Sequence, residues 1–121
     1  MPTDLSTQQR NEAVAVEVMG ELKPHTDPVM AWRDGHKYKL WEPSGLDWIP
    51  VNFHTGNGML LVIERMRELG WDYSLQPHRD GHDARFRRAD GFGRSYFAID
   101  PDLPTAVLTA ALEAVRGEGE A

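Results

Sequence analysis

Residues 57–76 read NGMLLVIERMRELGWDYSLQ, and this stretch decides the fold. Met59, Val62, Ile63, Met66 and Leu69 recur at the three- and four-residue spacing that places them on one face of a helix. Glu64, Arg65, Arg67 and Glu68 fall on the other face. A helix over Asn57–Leu69 follows. Gly70 closes it, because a residue without Cβ enters the left-handed C′ conformation at low cost. Trp71 then opens an extended run to Gln76 in which the helical period is lost. An amphipathic helix leading directly into a strand must bury its apolar face against a sheet made by its neighbours.

Reading downstream, the strand Trp71–Gln76 is followed by further extended runs at Ala84–Ala89 and Arg94–Ile99. The connections His78–Asp83 and Asp90–Gly93 hold Asp and Gly turn residues. Connections this short make the three strands an antiparallel meander. Asp100-Pro101 stops the last strand. A final helix runs from Pro104 to Arg116, burying Val107, Leu108, Ala111, Leu112 and Val115, and Gly117–Ala121 reads as a frayed tail.

Reading upstream, Ser6–Gly20 is a helix with Ser6 or Thr7 as N-cap and Gln9 placed for a capping box. Leu22–Pro28 reads as a loop. Val29–Arg33 and His36–Trp41 flank Asp34-Gly35, a hairpin signal, because both central residues of the favoured two-residue turn need positive φ. Asp47–Phe53 reads as irregular. The sum is a single α+β domain over residues 1–121 with an ordered core at 6–116: a hairpin plus a three-stranded antiparallel meander packed with three helices.

The bulk numbers narrow the function. A chain of 121 residues fits one domain. It has no cysteine, so disulfides and thiolate metal sites are excluded; this and the polar segment Met1–Arg10 point to a cytoplasmic protein. No run approaches the roughly 18 apolar residues of a membrane helix. The formal net charge of −6 opposes binding to a nucleic acid polymer, whose affinity rests on cationic contacts with phosphates.

The order of Val18-Met19-Gly20, Trp41-Glu42-Pro43, Trp48-Ile49-Pro50, the run Val62 to Trp71 and the segment Ala98–Val115 resembles the phage ABA-sandwich domain family. The resemblance covers about Ala13 to Val115. It implies a bacteriophage or prophage origin and a three-layer helix–sheet–helix arrangement, and it implies no reaction, cofactor or catalytic residue. The chain departs from the family pattern at His54-Thr55-Gly56, where members often carry Ser-Thr-Asp.

Three constellations bear on chemistry. His78-Arg79-Asp80-Gly81-His82-Asp83 holds two histidines and two aspartates that could ligate a divalent metal, but its spacing matches no established metal loop and its Asp-Gly is a turn signal; a solvated turn is the simpler reading. Arg79, Arg85, Arg87, Arg88 and Arg94 gather on the meander. Arg85 and Arg87 share a strand face while Phe86 points the other way, so two guanidinium groups can clamp a phosphate or carboxylate. The competing reading has them paired with Asp80, Asp83 and Asp90 as a solvated face. Trp32, Trp41, Trp48 and Trp71 cluster near the first hairpin and the start of the meander, as stacking walls or as core. The nucleophilic residues stand in no catalytic context, and no metal or cofactor is implied. The expectation is a non-catalytic binding protein whose partner is a small anionic ligand, such as a nucleotide defence signal, or a host protein. Arg79, Arg85, Arg87, Trp41, Trp48 and His54 are its candidate contacts. A homo-oligomer and a metal-dependent hydrolase are the alternatives.

Overall fold

The computed structural model describes residues 6–33, 35, 38–91 and 93–119. Its elements run in chain order as α1 (Thr7–Ala13), a π-helical turn (Val14–Val18), α2 (Pro28–Arg33), β1 (Trp41–Ser44), β2 (Asp47–Pro50), α3 (Gly56–Glu68), β3 (Trp71–His78), β4 (Gly81–Arg88), β5 (Tyr96–Asp100) and α4 (Leu103–Gly119). The class is α+β, as the sequence requires. β3, β4 and β5 form an antiparallel meander in that order, and β1 pairs with β2 in a separate two-stranded ribbon.

The helix ends follow the capping chemistry. Ser6 accepts from the Gln9 N–H while the Gln9 side chain accepts from the Ser6 N–H, a complete capping box. Thr55 caps α3 at the Gly58 N–H, 2.9 Å away, and Asp102 caps α4 at the Thr105 N–H, 3.0 Å away. Gly70, at φ +93, takes the position after α3. Within α3, Val62, Ile63 and Met66 are buried, while Leu69, at the end of the expected stripe, is 37% exposed.

The first hairpin lies elsewhere than the Asp-Gly signal places it. Residues 29–33, expected as a strand, belong to the helix α2. Asp27 accepts from the Val29 N–H at 2.8 Å and Pro28 takes the first helical position, so the segment has both a cap and a preset φ. The hairpin forms around Gly45-Leu46 instead, pairing Trp41 with Pro50 and Ser44 with Asp47, with Gly45 at φ +63. The stretch read as irregular therefore supplies β2. Asp34, His36 and Lys37, like Phe92 in the later turn and Glu120-Ala121 of the tail, lie outside the described residues, as does the Trp32 side chain.

α4 is the centre of the core. Ala106, Val107, Leu108, Ala110, Ala111, Leu112 and Ala114 are all buried, so the helix is apolar around most of its circumference, as a helix enclosed on several sides must be. It packs on β4 and β5 with one side and on the π-helical turn with another, while α3 lies against α4 and the start of β3. Trp71, Ala84 and Phe86 meet these helices from the sheet. The other face of the meander, bearing Asp72, Ser74, Gln76, Arg85, Arg87, Phe97 and Ile99, is exposed. Among the described residues the helices that pack on the meander, α3 and α4, lie on one face, and the second face is exposed.

Candidate functional site

The open face carries the arginine pair. β4 faces β3 so that Arg87 is opposite Asp72, Arg85 opposite Ser74 and Asp83 opposite Gln76. Pleating sends these side chains to the solvent side and Phe86, fully buried, to the core. A groove of about 970 Å³ lies here, lined by Asp72 to Gln76, Asp83, Arg85, Arg87 and, from the last turn of α3, Arg67. Arg67 adds a third guanidinium that strand spacing could not reveal, because its approach depends on where α3 ends relative to β3.

The electrostatics are mixed but locally cationic. Arg85 lies 3.6 Å from Asp83 Oδ2, and its guanidinium stands 5.2 Å from the Phe97 ring centroid. Asp83 Oδ1 is buried without a hydrogen-bond partner among the described residues. The face therefore offers donors from Arg67, Arg85, Arg87, Ser74 and Gln76, with two carboxylates at its margins. Such a face can hold an anion by charge-assisted, forked hydrogen bonds. Asp83 partly satisfies the competing reading of the arginines as neutralised by neighbours.

The remaining candidates are not brought to this groove. Arg79 sits in the exposed β3–β4 turn beside Asp80, at 3.9 Å. Trp41 and Trp48 are buried in the β1–β2 ribbon. Their indole N–H groups donate to the backbone carbonyls of Glu21 at 3.2 Å and Thr26 at 2.7 Å, so they pin the preceding loop to the ribbon. Trp71 packs edge-on against Tyr96 with centroids 5.8 Å apart, and Arg88 covers its ring at 5.2 Å. Trp41, Trp48 and Trp71 are core, and among the described residues the arginine–tryptophan pocket does not form.

His54 belongs to a network that joins α1 to the start of α3. Arg10 Nη1 lies 3.0 Å from His54 Nε2. A guanidinium only donates, so Nε2 accepts and the proton sits on Nδ1, which donates to Asn11 Oδ1 at 2.9 Å. Asn11, the buried polar residue of α1, also accepts from the Phe53 N–H at 2.9 Å. Burial, and then the Arg10 charge, hold the His54 pKa below its ordinary value against the opposing pull of Asp102 and Asp100. Sequence reading missed this network. Its one signal was Asn11, a polar residue inside an otherwise apolar helical stripe.

The His-Asp cluster of the β3–β4 turn is dispersed by the pleat. His78 lies on the open face, where its Nδ1 accepts from the Asp80 N–H at 3.0 Å. His82, paired with Pro77 on one side and Asp100 on the other, lies on the helix side. Among the described residues no group of His, Asp or Glu is arranged to hold a metal, and no helix is long and apolar enough to cross a membrane. Comparison with known proteins found no matching family model, no similar curated protein and no similar solved structure.

Proposed function

We propose that this protein acts by non-catalytic binding and takes an anionic ligand in the groove on the open face of the meander, gripped by Arg67, Arg85 and Arg87. The observation that carries the reading is the side-by-side exposure of Arg85 and Arg87 on a sheet face that no helix covers, with Arg67 closing the same groove. Adjacent forked donors recognise phosphate or carboxylate oxygens with fixed geometry, and Ser74 and Gln76 add neutral hydrogen bonds beneath them. Because Trp41 and Trp48 are core, a nucleotide would have to stack its base on Phe97, which is exposed on the same face. The sequestering of a nucleotide defence signal rests on the phage-like motifs alone.

Isothermal titration in low salt tests the reading, using phosphate, pyrophosphate, citrate and a panel of nucleoside mono-, di- and triphosphates. At least one anion is expected to bind with defined stoichiometry. Arg85→Ala and Arg87→Ala should each weaken it about tenfold, the worth of one charge-assisted hydrogen bond of roughly 1.5 kcal/mol. Asp83→Asn should tighten it by releasing Arg85. Absence of heat with every anion, or binding indifferent to both arginine variants, would contradict it.

A further inference from the structure

β3 is an edge strand whose outer side can be read residue by residue. The Ala89 N–H donates to the Gly70 carbonyl at 2.9 Å, and these two residues extend the register in which Trp71 faces Arg88. In an antiparallel ladder, directly opposed residues joined in this way alternate with residues whose backbone groups point away. Asp72, Ser74 and Gln76 therefore bond to β4, while Trp71, Tyr73, Leu75 and Pro77 turn their backbone groups outward. Pro77 agrees with this assignment, since a proline in a ladder belongs where no donor is required. The meander ends at β3. The groove is lined by the consecutive residues Asp72 to Gln76 rather than by alternate ones, so it follows the strand's edge as well as its face. Tyr73 and Leu75 are 45% and 37% exposed on the helix side, beyond the cover of α4.

We propose that the occupant of this edge is the β3 edge of a second copy, paired antiparallel about a two-fold axis at Ser74. Self-complementarity argues for the copy. With Ser74 on the axis, Tyr73 faces Leu75 of the partner subunit and the pair exchanges both backbone hydrogen bonds, while their side chains cover one another. Asp72 faces Gln76 of the partner subunit, so no like charges meet. The Trp71 N–H reaches the carbonyl of Pro77 of the partner subunit, and the missing Pro77 donor falls at the end of the ladder. This centre engages the whole outward run from Trp71 to Pro77. Moving it to Asp72 sets two carboxylates against each other, and moving it to Gln76 places Pro77 opposite Leu75, where a donor is lost. Edges of natural sheets are blunted by lysine, bulges or proline; here Pro77 alone serves, and only at the far end. The result is a six-stranded sheet whose open face carries both arginine pairs. It stands whether or not the groove takes an anion.

The chain has no cysteine, so a single introduced thiol reads the register directly. In the proposed dimer Ser74 meets its own copy in a non-hydrogen-bonded pair, with Cα atoms about 4.5 Å apart, within disulfide reach. Under mild oxidation Ser74→Cys should give a covalent dimer and Gln76→Cys should not. Multi-angle light scattering of the unmodified chain should show a concentration-dependent dimer. Leu75→Lys, which leaves the β4-facing bonds intact, should weaken it about tenfold through the two lost cross-strand pairs. Circular dichroism confirms that the variants fold. A monomer at every concentration, or cross-linking through Gln76→Cys in preference to Ser74→Cys, would overturn the proposal.

Discussion

At the scale of single residues, the polar network around His54 shows how burial assigns a protonation state. Arg10 occupies Nε2 as a donor, so a second proton on that nitrogen would displace the guanidinium and place two cations together. The folded-state pKa is lowered relative to the ordinary 6.5. The unfolded chain therefore binds a proton more readily, and the stability His54 contributes is complete above about pH 6.5 and lost as pH falls through the folded value. Glu17, held low by its Arg116 partner, and Asp102, held low by Thr105, lose their contributions only below their own ordinary values of 4.5 and 3.8. The interval between pH 7.5 and 5 lies above both carboxylates, and the His54→Gln variant separates this histidine from the other four in the chain. Urea midpoints should fall across that interval, and His54→Gln should flatten the fall while costing about 1 kcal/mol at neutral pH through its weakened hydrogen bonds. An unchanged slope in the variant would show that His54 is not the group responsible.

At the scale of elements, local chemistry was legible wherever a cap or a period dictates it. The capping box at Ser6 and Gln9, the apolar stripe of α3 and the meander could all be read directly. The first hairpin could not, because two local signals competed. Asp34-Gly35 is a turn dipeptide, yet Asp27-Pro28 supplies a helix start just upstream, and the buried Trp41 and Trp48, with their indoles bonded to the loop at Glu21 and Thr26, draw the strands to 41–50. That tertiary attachment leaves no periodic trace. The end of α4 was hidden for a similar reason. Gly117-Glu118-Gly119 resembles a helix terminus, but α4 continues to Gly119. A Cβ added at Gly117 would collide with the Tyr96 hydroxyl and ring, so the glycine is there to admit an aromatic ring from β5. Glu17 reinforces the same end of α4 through forked bonds from Arg116 at 2.7 and 2.8 Å, worth under about 1 kcal/mol at that exposure. Gly117→Ala should destabilise the protein by about 1–3 kcal/mol by overpacking. Tyr96→Leu should remove most of that penalty in a double-mutant cycle. Additivity of the two changes would show that Tyr96 is not what Gly117 accommodates.

At the scale of the whole molecule, the arrangement on which the proposed anion site rests is the one-sided sheet. α4 and α3 cover the meander from one side, which leaves Arg85 and Arg87 on the solvent side and lets the end of α3 bring Arg67 to join them. The arginine pair was legible from alternation along β4. The placement of Trp41 and Trp48 in the core rather than beside it was not, since they are near in sequence to no part of the meander and their destination depends on the ribbon. Nor could a sequence pattern say that one face of the sheet stays open, because alternation gives the face a side chain points to and not what lies beyond it. Amide chemical-shift mapping during titration with pyrophosphate tests that face most directly. Shifts concentrated at residues 72–76 and 83–87, and abolished in Arg85→Ala/Arg87→Ala, are expected. Shifts centred on the His54 network or the tryptophan ribbon, or none at saturating anion, would contradict the proposed anion site.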